Sequence, residues 1–265
     1  MEQNLKQYVE KFNPILETNM FSAEECEKIV KTLITKQNKW ENRSPNGNFF
    51  MSYGALTYLD AQDGVAGDPE YDQFRNNDES IPNVYDAKAS YFNKMMVEDF
   101  DWMYARIWSY YQCKFDKPVV FKLALPGFHI FQTAEQLNHE YVKNLATIHV
   151  DMPQTSHKWE SDILAASSFT IAVDLPKCTA GLNIWRDDSI FKNVNSVFYH
   201  QMDKESQLAI TKNAEYFPYK LGYVYEQDGM LRHQITCGGD VMESERRITI
   251  QGHLVETNKE IIIYV

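Results

Sequence analysis

What the chain lacks narrows its class. No apolar run approaches the roughly 20 residues that a membrane-spanning helix needs, so no membrane partner is expected. Basic residues are in the minority, 26 Lys and Arg against 37 Asp and Glu, for a formal net charge of −11. Nucleic-acid backbones select basic surfaces, so no nucleic-acid partner is expected. Cysteines number only four, at Cys26, Cys113, Cys178 and Cys237, and no two form a Cys-x-x-Cys pair. Such scattered thiols, behind an opening stretch that does not read as a secretory leader, predict reduced cysteines and a cytoplasmic location. A phosphate loop, a dinucleotide glycine fingerprint and a Gly-x-Ser-x-Gly elbow are all missing. His139-Glu-Tyr-Val-Lys143 comes near the zinc-protease motif, but its fifth residue is lysine, which cannot serve as the second ligand.

What is present suffices for a substantial core: 44% of the 265 residues are hydrophobic and 14% aromatic. No linker divides them, so a single domain over residues 1–265 is expected. Residues 1–21 are mixed and polar. A helix start follows at Phe21-Ser-Ala-Glu-Glu-Cys26, with Ser22 and Glu25 at capping-box spacing. Cys26, Ile29, Val30, Leu33 and Ile34 then fall on one helical face. Phe49 to Leu59 reads as a strand, and the acidic, Gly- and Asn-rich stretch 60–82 as a long loop, either a lid or an excursion. From Asp86 to Cys113 a Met and aromatic stripe predicts a long helix, with a gap near Phe100.

From Val119 onward short apolar runs dominate. They cover Val119 to Ala124, Gly127 to Phe131, Ala146 to Val150, Phe169 to Val173, Gly181 to Trp185, Gly222 to Tyr225, Ile248 to Val255 and Ile261 to Val265. Eight short strands behind a mostly helical support at 1–118 predict a β-sandwich or barrel over 119–265, with an insertion near 187–220.

The chemistry centres on Ile148-His149-Val150-Asp151. Residues i and i+2 of a strand share a face, so His149 and Asp151 point into one cavity and Ile148 and Val150 away from it. An imidazole and a carboxylate are two thirds of a two-histidine, one-carboxylate iron site. Four histidines follow: His157, His200, His233 and His253. His157 lies in a polar loop too close to the pair, His200 in the insertion, and His253 at the end of a later strand. His233, in Leu231-Arg-His-Gln-Ile235, is the candidate third ligand. Beyond it, Glu245-Arg-Arg-Ile-Thr-Ile-Gln251 alternates as a strand does. Arg247, Thr249 and Gln251 share one face, and Arg246 points the other way. Arginine with a hydroxyl two residues on makes a carboxylate clamp.

This order of parts, His-x-Asp, a distant His in a Leu-x-His-x-Ile setting, then Arg-x-Thr, resembles the iron(II)/2-oxoglutarate-dependent dioxygenases. The Phe21-Ser-Ala-Glu-Glu-Cys26 helix start and the Gly181-Leu-Asn-Ile-Trp185 strand look like their prolyl-hydroxylase-like and small-molecule branches. The resemblance covers roughly residues 120–255. It implies a mainly β fold with flanking helices around a double-stranded β-helix, a cupin-like jelly roll. It also implies Fe(II) held by His149, Asp151 and His233, and the distal carboxylate of 2-oxoglutarate on Arg247 and Thr249. O₂ would take the remaining position. Many members carry Gly-Gly where this chain has Ala180-Gly181. Related halogenases carry a small residue at the acidic ligand, so Asp151 argues against halogenation.

The activity implied is oxidation of an unactivated C–H bond with release of succinate, giving hydroxylation, desaturation or ring closure. The substrate expected is a small, amino-acid-like metabolite. Trp185 and Arg186 end a cavity-lining strand, Arg232 adjoins a ligand, and His129 and Phe131 precede the long loop 133–144, so these five are the candidate substrate-binding residues. Alternatives are a protein side-chain hydroxylase, a non-catalytic jelly-roll binding module and a cupin-like isomerase using another metal. The sequence sets no oligomeric state.

Overall fold

The computed structural model describes residues 15–43, 50–61, 80, 83–132, 147–152, 155, 157, 159–187, 189–191, 196–237 and 245–265. Most of the expected loop 60–82 (residues 62–79, 81 and 82) and all of the loop 133–144 lie outside the described residues.

Strand β1 (Ile15–Asn19) leads into helix α1 (Ala23–Thr35). Strands β2 (Glu41–Asn42) and β3 (Met51–Tyr53), the one-turn helix α2 (Thr57–Asp60) and the long helix α3 (Val84–Lys114) follow. Next come β4 (Val119–Phe121), β5 (Gly127–Phe131), β6 (Thr147–His149), β7 (Ile163–Asp174), β8 (Ala180–Trp185) and β9 (Ser196–Phe198). Helix α4 (Lys204–Asn213) and strands β10 (Glu215–Pro218), β11 (Tyr223–Asp228), β12 (Arg232–Cys237), β13 (Arg247–Thr257) and β14 (Ile261–Tyr264) complete the chain.

Among the described residues the strands form two sheets. The larger has nine, in the order β1-β11-β7-β13-β5-β3-β2, with β14 between β13 and β4. The smaller has five, β10-β8-β12-β6-β9. Facing each other across a cavity, they make the double-stranded β-helix expected from the sequence. Alternation assigns the faces of the larger sheet. Ile248, Ile250, Ile171, Phe169, Phe128 and Ile130 point outward and form one core with the helices. Each such side chain contributes about 1.5–3 kcal/mol by leaving water.

Both helices form for the reasons the sequence suggests. At α1, Glu25 N donates to Ser22 Oγ at 3.2 Å and Ser22 N to Glu25 Oε2 at 2.9 Å, a complete capping box. Cys26, Ile29, Val30 and Leu33 are its buried face. In α3 the gap in the stripe is real: Phe100 has non-helical backbone angles (φ −134°, ψ 23°). Its ring fills the gap by packing 5.0 Å from Phe128.

The N-terminal part is more than helical support. Strand β1 pairs with β11 at one edge of the larger sheet, and β2 and β3 extend the other edge. Of β1 only Ile15 is buried, so no alternation marked it in the sequence. The strand expected over 49–59 shrinks to three residues because Asp60 closes the turn after it. Asp60 accepts from Leu56 N at 2.7 Å and pairs with Arg43 (2.6 Å) and the buried Lys88 (2.9 Å). Asp60, expected to open a loop, thus anchors β2 and α2 to α3.

The insertion lies against the outer face of the smaller sheet. Its Phe191 and Ile210 pack on Ile148 and Trp185. Strand β10 lies so close to β8 that a Cβ on Gly181 would sit 2.0 Å from Phe217 O, so this position takes only glycine.

Candidate metal centre and carboxylate clamp

Strands β6 and β12 are antiparallel neighbours, and His149 is the direct partner of His233. Direct partners share a face, so both rings enter the cavity, their centroids 4.4 Å apart. Asp151, two residues past His149, returns to the same side. Its Oδ1 lies 3.5 Å from His149 Nε2 and its Oδ2 3.8 Å from His233 Nε2. Two donors each about 2.0–2.2 Å from one ion can be at most about 4.4 Å apart, so both separations fit a shared ion. Among the described residues this is the only such group of three.

Each imidazole is oriented by the same local device. His149 Nδ1 faces Thr147 O at 3.1 Å, and His233 Nδ1 faces Leu231 O at 2.8 Å. A carbonyl accepts only, so each Nδ1 carries the proton and each Nε2 turns a lone pair to the shared point. Burial pushes His233 down to about 4, which keeps it neutral. Burial alone would raise Asp151, but the facing His233 and the His149 hydrogen bond outweigh it and hold the carboxyl far below its usual range. Burial lowers His149, but protonation at Nε2 would give the facing Asp151 carboxylate a donor, and this prevails and raises it. The site holds a carboxylate anion and two aimed nitrogen lone pairs, the donor set of a divalent transition metal.

The opposite wall comes from the larger sheet. Arg247 and Thr249 face inward on β13, opposite Phe131 and His129 of β5. Arg247 is 1% exposed. Its guanidinium lies between two rings, 5.3 Å from Phe131 and 5.7 Å from Tyr219. Beside it Thr249 Oγ1 is fully buried with no hydrogen-bond partner among the described residues. Leaving a buried hydroxyl unsatisfied costs about 1–3 kcal/mol. An incoming carboxylate beside the guanidinium would satisfy it. Arg246 turns to the other side, as expected, and pairs with Asp174.

The five candidate substrate residues divide. His129 and Phe131 do face the cavity. Burial, then the Arg247 charge, holds His129 well below its usual pKa, and Phe50 stacks on Phe131 at 5.2 Å. The other three do not reach it, which corrects the expectation. Arg232 and Trp185 are direct partners on the face opposite His233. Trp185 Nε1 donates to Ile210 O at 2.9 Å, and Arg232 lies over the Phe191 ring at 4.3 Å. Arg186 is exposed and pairs with Glu215 at 3.0 Å. Neighbours in a strand cannot share a face, so a residue adjoining a ligand is turned away from its site.

Two inward residues escaped the sequence reading. Tyr219, just beyond β10, turns its hydroxyl toward Thr170 and Arg247. Nothing in the sequence marks it, because the β10–β11 turn alone places it. Gln227 of β11 has its Nε2 3.4 Å from Asp151 Oδ2. A glutamine two residues after the inward Tyr225 was the available signal. Of the remaining histidines, His253 faces Ser168 Oγ at 2.9 Å and His157 faces Thr57 Oγ1 at 3.2 Å.

Among the described residues no helix is long and apolar enough to cross a membrane. No protein-family model and no curated protein matches the chain. Solved structures do. An N-substituted L-amino acid dioxygenase from Burkholderia ambifaria, in complex with α-ketoglutarate, aligns with 100% of this chain and 91% of its own at 10% identity and a TM-score of 0.54. HygX from Streptomyces hygroscopicus, with nickel, 2-oxoglutarate and hygromycin B bound, aligns with 94% of this chain and 86% of its own at 10% identity and a TM-score of 0.42. The α-ketoglutarate-dependent carbocyclase SnoK of nogalamycin biosynthesis covers 94% and 85% at 8% identity and a TM-score of 0.42. The likeness to the first of these establishes that the chain shares the fold of an α-ketoglutarate-bound dioxygenase, the double-stranded β-helix of jelly-roll type.

Proposed function

We propose that the chain is an Fe(II)/2-oxoglutarate-dependent oxygenase that oxidises an unactivated C–H bond of a small, polar, amino-acid-like metabolite. One observation carries the reading: His149, Asp151 and His233 converge from the smaller sheet while a buried arginine enters the same cavity from the larger. A non-catalytic module has no use for both.

The donors fit iron, and the clamp fits a dicarboxylate. His149, Asp151 and His233 would hold the metal. Arg247 and Thr249 take the distal carboxylate of 2-oxoglutarate, with Tyr219 beside them, which fixes the end of the co-substrate remote from the metal. Iron with 2-oxoglutarate and O₂ supplies an oxidant able to remove hydrogen from an unactivated carbon, with conversion of 2-oxoglutarate to succinate and CO₂. The protein's part is placement and exclusion of water.

The substrate side is the inner wall next to the donors. There His129, Gln251 and the His253–Ser168 pair offer hydrogen bonds, and Phe131 and Phe50 offer ring faces. That wall suits a small polar molecule. The structural neighbour from Burkholderia ambifaria acts on N-substituted L-amino acids, which supports an amino-acid-like substrate here. We place the activity in one domain spanning residues 1–265, in the cytoplasm. The test is succinate release dependent on both Fe(II) and 2-oxoglutarate, screened for stimulation by amino acids and related metabolites. Succinate formation without a requirement for iron would overturn the proposal.

A further inference from the structure

Gln227 is a buried amide to which neither the metal donors nor the clamp assigns a role. It stands on β11 of the larger sheet, whereas the histidine donors hang from β6 and β12 of the smaller one. Its side chain crosses the cavity. Nε2 lies 3.4 Å from Asp151 Oδ2, 3.4 Å from His233 Nε2 and 3.2 Å from His233 Nδ1. Nδ1 is no acceptor. His233 Nδ1 already directs its hydrogen at Leu231 O, 2.8 Å away, and a ring nitrogen that carries hydrogen accepts nothing. The ionised carboxylate offers acceptors only, so the amide must turn its NH₂ to it. Asp151 Oδ2 therefore receives the Gln227 amide, while Oδ1 faces His149 Nε2 at 3.5 Å.

We propose that Gln227 is a positioning residue for Asp151, an inference that rests on reading the site as an iron centre. A metal held through Oδ1 would leave Oδ2 to the Gln227 amide. A carboxylate bound through both oxygens would consume a coordination position that 2-oxoglutarate or O₂ needs. Asp151 follows β6 on a stretch outside any strand, so its own backbone fixes it less well than the ladder fixes His149 and His233. Gln227, anchored in the β11–β7 ladder opposite Ser168, supplies the missing constraint. It also ties the two sheets together at the metal. Outer-shell partners of this kind are worth about 10–100-fold in metal affinity.

Cobalt(II) titration, followed by its visible absorption bands, tests this on the full chain without turnover. Gln227→Met keeps the length and packing but has no donor. It is expected to weaken Co(II) binding about 10–100-fold and to shift the bands, with a melting temperature close to wild type. Wild-type affinity and bands in Gln227→Met overturn the proposal. Should that variant not fold, Gln227→Asn, whose amide is pulled back by one methylene, is read in the same way. Asp151→Ala separates this inference from the reading beneath it. If Asp151→Ala loses Co(II) while Gln227→Met does not, the metal centre stands and the positioning role falls. If wild type and Asp151→Ala bind Co(II) alike, both fall.

Discussion

The two faces of the smaller sheet differ sharply in what they carry. Its inner face presents His149 and His233 to the cavity, beside Ile184 and Leu182. Its outer face carries Ile148, Trp185 and Arg232 against Phe191 and Ile210 of the insertion. Arg232 and His233 are adjacent in sequence and separated by the thickness of a sheet. The same division holds on β13, where Arg247 and Thr249 face inward and Ile248 and Ile250 join the helix-backed core. The candidate donors and clamp lie on the inner faces, and the outer faces supply the packing that keeps the inner ones in register.

The sharpest break in this comparison is Asp151→Ala. The substitution removes the anion from the inner face and leaves two neutral imidazoles. Succinate release should fall more than about 10³-fold, about 4 kcal/mol of transition-state stabilisation, with the melting temperature little changed. Retention of most of that activity would remove Asp151 from the donor set.

An outer-face counterpart is Trp185→Ala. Trp185 is 3% exposed, and its indole N–H donates to Ile210 O. The variant opens a large void and strands that carbonyl, so a loss of about 3–5 kcal/mol in unfolding free energy is expected. The folded fraction should keep its affinity for 2-oxoglutarate. Urea melts and binding measured on the same sample distinguish the two effects; a loss of affinity without loss of stability would put Trp185 back in the cavity.

Arg247→Met should act in the opposite sense, on binding and not on fold. Removing one partner of a buried charge pair costs at least about 2 kcal/mol, so the KM for 2-oxoglutarate should rise roughly 30-fold or more. Co(II) affinity should stay within about twofold. Arg247→Lys should recover only part of the loss, because a point charge cannot make two parallel hydrogen bonds. A metal affinity that falls together with KM would mean that Arg247 supports the donors and not the co-substrate.

How much of this was legible in the sequence depended on period. Where alternation was clean, as at Arg247-Ile-Thr-Ile-Gln251, both the strand and its inward face could be read; at His149-Val-Asp151 only the shared side could, because the strand ends at His149. Capping at Ser22 and the interruption at Phe100 were legible for similarly local reasons. Strand β1 was not, because its four residues after Ile15 are exposed and pair along the ladder to β11. Tyr219 was not, because its place depends on a turn. For Arg232 and Trp185 the expectation fails for a local reason. The alternation that joins His149 to Asp151 also turns Arg232 away from His233, so adjacency in sequence is not proximity to the site.

Arg186 gives the smallest expected effect and tests the outer-face assignment most directly. Its Nε pairs with Glu215 at 3.0 and 3.1 Å, and both side chains are more than half exposed, 55% and 53%. Water screens such a pair, and holding two long side chains in one geometry costs entropy that offsets the attraction. Arg186→Ala should therefore change stability by no more than about 0.5 kcal/mol. It should also leave unchanged the KM for 2-oxoglutarate and for whichever metabolite stimulates succinate release. An arginine that met a substrate carboxylate would behave differently: its loss would raise the substrate KM at least tenfold and leave that for 2-oxoglutarate alone. Such a rise would bring Arg186 to the mouth of the cavity in the working enzyme and limit the division between the two faces to the strands themselves.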